Sequence, residues 1–197
     1  MTNCIFSAYC MEYNCDKSCP KYAESSYLLE RNDISEKSNV MSCSFQNIQM
    51  ADNLLSKCQG RLGCIITNKT VATAELFTYV AICNNWKGSQ LHCNVYNLKY
   101  SNFLEEIKRS WSLKSEPEAL EYKRIWSESA KVLMISHLDY VRFGDFESQT
   151  LLNLIQSRDK PNLTTIVVSQ DINQLVGKSN SMFFLKLQSL LGKAVKL

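Results

Sequence analysis

The sequence predicts an α/β fold with a mostly parallel sheet, carrying a small cysteine-rich metal-binding knob at its N-terminus. Three observations lead there. After Gly60, short apolar runs alternate with amphipathic helical stretches, the pattern of consecutive β–α–β units. Residues 132–135 and 164–168 are short strand-like runs of the kind found in strands covered on both faces. Four of the nine cysteines fall within the first 20 residues.

Taken in order, residues 21–31 read as a short amphipathic helix with Tyr22, Tyr27 and Leu28 on its apolar side. Residues 32–44 are polar and serine-rich, the natural place for a linker. Over 45–57 the helical period returns, with Ile48, Ala51, Leu54 and Leu55 on one face. A glycine-containing loop after Gly60 then runs into a long helix over 70–86, which Gly88 stops. A strand is expected at 91–98 and an amphipathic helix at 102–111. A second helix has Pro117 in its first turn and runs to Ser129. A strand at 131–135, a helix at 145–158, a strand at 164–168 and two short helices complete the pattern. The chain thus divides into a cysteine segment with its helix (1–31), a linker (32–44) and an α/β domain (45–197).

Composition narrows the function classes. A chain of 197 residues can bury one good core plus an appendage. With 45% hydrophobic and 21% charged residues it reads as an ordinary soluble globular protein. A net charge of +3 permits contact with nucleic acid without arguing for it. No apolar run reaches the roughly 18 residues that a membrane helix needs. The odd cysteine count and the lack of a basic, apolar leader favour a reducing, cytoplasmic setting, where clustered cysteines more often hold metal.

Gly63-Cys64-Ile65-Ile66-Thr67-Asn68-Lys69-Thr70 fits the phosphate-loop pattern GxxxxGK[ST] at every fixed position but one, where Asn68 replaces glycine. Such a loop converges backbone N–H groups on phosphates, while the lysine meets the β and γ oxygens and the hydroxyl meets Mg²⁺. Gly63, Thr67, Asn68, Lys69 and Thr70 are therefore the candidate nucleotide residues. The bland alternative is that Asn-Lys-Thr simply opens a helix. Its place before the first long helix of an alternating segment favours the functional reading.

From Gly60 onward the chain resembles the AAA+ helicase loaders of the DnaC/DnaI type, including their phage versions. Val95-Tyr96-Asn97-Leu98 with Phe103-Leu104-Glu105-Glu106-Ile107 is similar to the family's second strand and its following helix. Lys131-Val132-Leu133-Met134-Ile135 resembles its Walker B strand, and the run from Leu151 to Arg158 its "L…I…R" helix. Thr164-Thr165-Ile166-Val167-Val168-Ser169 is similar to the sensor-1 strand, and Phe184-Leu185-Lys186-Leu187 with Val195 to the closing segment. The resemblance implies a P-loop AAA+-like domain, ATP or ADP with Mg²⁺, and a replicative helicase or another AAA+ protein as partner. It allows single-stranded DNA contact and assembly into an oligomer.

Four departures bear on activity. Ser136 and His137 stand where the family has its two acidic residues, one holding Mg²⁺ and one polarising the attacking water. Gln170 follows Ser169 where the sensor asparagine belongs, and Lys186 stands near the position of the arginine finger. Together they imply a degenerate member with weak or no hydrolysis. Two other readings remain: an active loader that borrows residues from a partner, and a nucleic-acid-associated module without nucleotide.

Cys4, Cys10, Cys15 and Cys19 have the spacing C-x5-C-x4-C-x3-C, followed by Pro20. Four thiolates can close a tetrahedral Zn²⁺ site; a Cys₄ iron–sulfur cluster is the alternative. The other five cysteines suit small buried positions. Lys108, Arg109, Lys123, Arg124 and Arg142, with Tyr122, Trp126 or Tyr140, are the candidates for a single-stranded DNA face. Solvated helix faces and packed aromatics are the simpler account of them.

Overall fold

The computed structural model describes residues 18–34, 44–87, 94–113, 117–160 and 162–171, together with 185, 189, 195 and 196. Helix α1 (Pro20–Arg31) opens with proline at its first position, where a missing N–H costs nothing. Helix α2 (Phe45–Lys57) is capped by Ser44, whose hydroxyl accepts from the Asn47 N–H at 3.4 Å. Strand β1 (Leu62–Ile66) follows, then α3 (Thr70–Lys87), β2 (Val95–Lys99), α4 (Tyr100–Leu113) and α5 (Glu118–Ser129). Strand β3 (Val132–Ser136) ends in a 3₁₀ turn at Leu138–Tyr140. Helix α6 (Asp145–Ser157), β4 (Thr164–Ser169) and the two-residue β5 (Val195–Lys196) complete the described elements.

The sheet runs β2-β3-β4-β1-β5, and every pair is parallel. Side-chain alternation divides it into two faces. Val95, Val132, Met134, Ile166, Val168 and Ile65 pack in a cluster with α1, α2 and α3. Tyr96, Leu98, Leu133, Ile135, Val167 and Cys64 pack with α4, α5 and α6 on the other face. Both runs that read as doubly covered strands are doubly covered.

Several sequence expectations change. Residues 62–66, read as loop, form β1, because Cys64 and Ile65 are buried between two helical layers. Helix α4 starts at Tyr100, directly after β2, rather than at 102. The chain closes on β1 with a parallel strand at Val195–Lys196, where a short helix was expected. On α1, Tyr27 is 54% exposed, and Leu29 takes its place beside Leu28 in the core. Asn32 to Ile34, the start of the expected linker, are fixed against the sheet: Ile34 is buried and Asn32 bonds to β2.

Arg158 shows how the second layer is held. It is fully buried, and its guanidinium makes five hydrogen bonds with no carboxylate among them. Nε donates to the Thr165 hydroxyl at 2.7 Å. Nη1 donates to the carbonyls of Ser127 (2.8 Å) and Glu128 (3.0 Å), and Nη2 to those of Ala130 (2.8 Å) and Thr164 (3.0 Å). The carbonyls at the C-terminal end of α5 carry partial negative charge, which compensates the cation. Burial pulls its pKa down to about 10.

Candidate functional site at the carboxyl end of the sheet

The carboxyl ends of β1, β3 and β4 meet where chain connections leave the sheet in opposite directions, the usual ligand crevice of an open parallel sheet. The phosphate-loop candidate lies there, but its geometry is compressed. Gly63 is within β1, paired with Ile166, and a Cβ on it would meet the Cys58 sulfur at 3.2 Å. Its glycine is explained by strand packing. Strand pairing reaches past β1, since the Thr67 N–H donates to the Ser169 carbonyl at 3.0 Å. Lys69 already caps α3 through its carbonyl, which accepts from the Thr73 N–H at 2.9 Å, and its own N–H donates to Thr67 Oγ1 at 3.2 Å. Asn68 alone separates sheet from helix. N–H groups that a phosphate cradle would aim at a ligand are spent on the protein at Thr67 and Lys69. The exposed Lys69 and buried Thr70 remain at the positive end of an 18-residue helix.

Ser136 is fully buried at the end of β3 and faces the α1–α3 layer with Asn97. Its hydroxyl donates to Asn97 Oδ1 at 3.0 Å and lies 3.0 Å from His137 Nδ1. A serine hydroxyl has one proton, so with Asn97 as its acceptor the His137 bond requires an Nδ1–H tautomer. His137 adopts a left-handed backbone (φ 61°), uncommon for a residue with a side chain. Burial, with help from Lys99, pulls its pKa below the ordinary 6.5; Asp33 and Asp139 oppose this weakly. The shift favours the uncharged imidazole.

An acid that does reach this crevice is Asp139, in the 3₁₀ turn. Its Oδ1 accepts from Ser169 Oγ and from the Gln170 N–H, both at 3.0 Å. It thereby ties the turn after β3 to the end of β4. Its Oδ2 is buried without a hydrogen-bond partner. At the end of β3 itself, Ser136 and His137 offer no carboxylate for Mg²⁺.

The sequence matches no protein-family model and no curated protein. The crystal structure of DnaI aligns with 87% of this chain and 93% of its own, with a TM-score of 0.53 at 14% identity. The chain shares the DnaI fold. Strand order and DnaI likeness together bear out the α/β architecture with a parallel sheet that the order of segments predicts.

Within this DnaI-like scaffold the remaining candidates fall in different places. Cys4, Cys10 and Cys15 lie outside the described residues, as does Lys186; Cys19 is buried at the cap of α1. Among the described residues no three metal-ligating side chains form a group. Cys64 and Cys83 are buried, and burial pushes the Cys64 thiol up to about 12, which leaves it an apolar filler rather than a nucleophile. Trp126 is packed from several sides: Tyr96 meets it edge-on, Tyr122 stacks at 5.8 Å and the Arg31 guanidinium lies 4.6 Å from its ring centroid. Lys108 pairs with Glu147 and Lys123 with Glu106, each at 2.6 Å. Tyr140 is exposed. No helix among the described residues is long and apolar enough to cross a membrane.

Proposed function

We propose that this chain is a degenerate helicase-loader-like AAA+ protein that acts by assembling on a replicative helicase or another AAA+ partner, with weak or no ATP hydrolysis. The observation that carries the reading is at Ser136. Where the resembled family has a carboxylate, a buried hydroxyl is committed to Asn97 and His137. Neither it nor an uncharged imidazole can hold Mg²⁺ as a carboxylate does. The DnaI likeness supplies the loader part of the proposal, because an α/β scaffold without its chemistry still offers surfaces.

The purified protein is expected to turn over ATP well below about 1 s⁻¹, the lower end of ordinary enzymes. Any shift of melting temperature by Mg-ATP should vanish in Lys69→Ala. Sustained turnover of 1 s⁻¹ or more in a phosphate-release assay would revive the active-loader reading. Partner capture is tested by co-sedimentation with a purified replicative helicase; no complex at micromolar concentrations removes the loader assignment.

The four N-terminal cysteines are proposed, on their spacing alone, to hold one zinc ion. Metal analysis of protein purified without chelator should give about one zinc per chain, and Cys10→Ser with Cys15→Ser should remove it. Iron in its place would assign the cluster alternative, and neither metal would end the proposal.

A further inference from the structure

A buried polar chain runs from the end of α1 to the end of β3, at one side of the crevice. Asn32 is 0%, Asn97 3% and Ser136 0% exposed. Asn32 Nδ2 donates to the Leu28 carbonyl at 2.8 Å, and its Oδ1 accepts the Asn97 N–H at 2.8 Å. The Asn97 side-chain amide donates toward the Asn32 carbonyl at 3.5 Å, and its oxygen accepts from Ser136. Each amide is oriented by what it must donate and accept, so no member can turn without leaving a buried group unpaired.

Among the described strands β2 lies at the edge of the sheet, and an edge strand's outward N–H groups invite pairing by other chains. Here the Asn97 N–H is closed by Asn32. Lys99 Nζ sits 3.5 Å from the Asp33 carboxylate beside it, and Arg31 lies over Trp126 on the adjoining α5.

We propose that Asn32, Asn97 and Ser136 form a latch that makes the docking of α1 and the geometry of the β3 end a single cooperative unit. Chemistry at position 136 decides whether the latch closes. A hydroxyl can donate to Asn97 Oδ1. A carboxylate there has no proton to give, so it can join only if the Asn97 amide turns and abandons the Asn32 carbonyl, which opens the latch. The coupling is reciprocal: whatever lifts α1 from β2 disturbs Ser136 and the left-handed His137 beside it, and whatever reorients Ser136 loosens α1. The latch is a property of the chain by itself, with or without a helicase.

Amide hydrogen exchange on the full chain tests it. Ser136→Asp should raise exchange across residues 20–34 by about tenfold or more while α6 stays protected, the scale of a lost buried hydrogen bond. If Ser136→Asp unfolds the whole molecule, the cycle of Ser136→Ala and Asn32→Ala decides. Each alone should loosen residues 20–34, and the second should add little once the first is made. Unchanged protection of residues 20–34 in a folded Ser136→Asp, or effects of Ser136→Ala and Asn32→Ala that simply add, would overturn the latch. Because neither readout involves a partner or ATP, failure of the latch is separable from failure of the loader assignment.

Discussion

Arg158→Met is expected to lower the melting temperature by about 6–20 °C, corresponding to a loss of about 3–5 kcal/mol at this chain length. Methionine fills much of the volume, so a cavity is not the cause. The cost comes from the acceptors left behind: four backbone carbonyls and one hydroxyl, drawn from the end of α5 and the start of β4, lose their donor together. Arg158→Lys should recover less than half of the loss. An ammonium has three donors on a point charge, whereas the site presents five acceptors arranged around a planar fork. Urea or thermal melts of the three proteins would measure this. A drop below about 3 °C for the methionine variant would show that water or a shift of α5 can satisfy the site without the guanidinium.

A chain beginning at residue 35 is expected not to fold stably, whereas one beginning at residue 18 keeps every contact described for α1. Leu28, Leu29 and Ile34 are each 3% exposed, and burying such side chains is worth about 1.5–3 kcal/mol apiece. Their combined loss, about 5–9 kcal/mol, is comparable to the whole stability of an ordinary domain, about 5–15 kcal/mol. The truncation also uncovers the backbone of Asn97 and the α1-facing side of α3. Circular dichroism and soluble yield of the two truncations should separate cleanly. A cooperative melt of the shorter chain within a few degrees of the full one would mean that α1 is an appendage after all, as the division at residues 31 and 44 supposes.

Periodic burial made most of the layers legible. The strands at 132–135 and 164–168 and the helix at 145–158 announce themselves because both faces, or one clear stripe, must be apolar. β1 was hidden because its pattern, Leu-Gly-Cys-Ile-Ile, lies inside a sequence that also fits a phosphate loop, and motif matching competes there with strand pairing. The shortness of the turn at Asn68 follows from the register with β4, a contact about a hundred residues away that no local pattern contains. The substitutions Ser136 and His137 were visible; what they do was not. Their partners Asn97 and Asn32 sit in segments read as an ordinary strand and a polar linker. The one available signal was an asparagine in the middle of an otherwise apolar strand. Asp139 was too far along the chain to align with the missing acids, and a 3₁₀ turn brings it back to the crevice at the end of β4.

The strand order has a consequence for the time course of synthesis. β1 lies between β4 and β5, so neither of its neighbours exists when it leaves the ribosome. The Gly60 N–H waits for the Thr164 hydroxyl, 104 residues later, which at about 5–20 residues per second is a delay of about 5–20 s. During that interval α1, α2 and α3 share an apolar surface that the sheet covers only in part: β2 and β3 pair once both have emerged, while β1 waits for β4. The nascent chain is therefore most exposed to mispairing and chaperone capture between the emergence of α3 and that of β4.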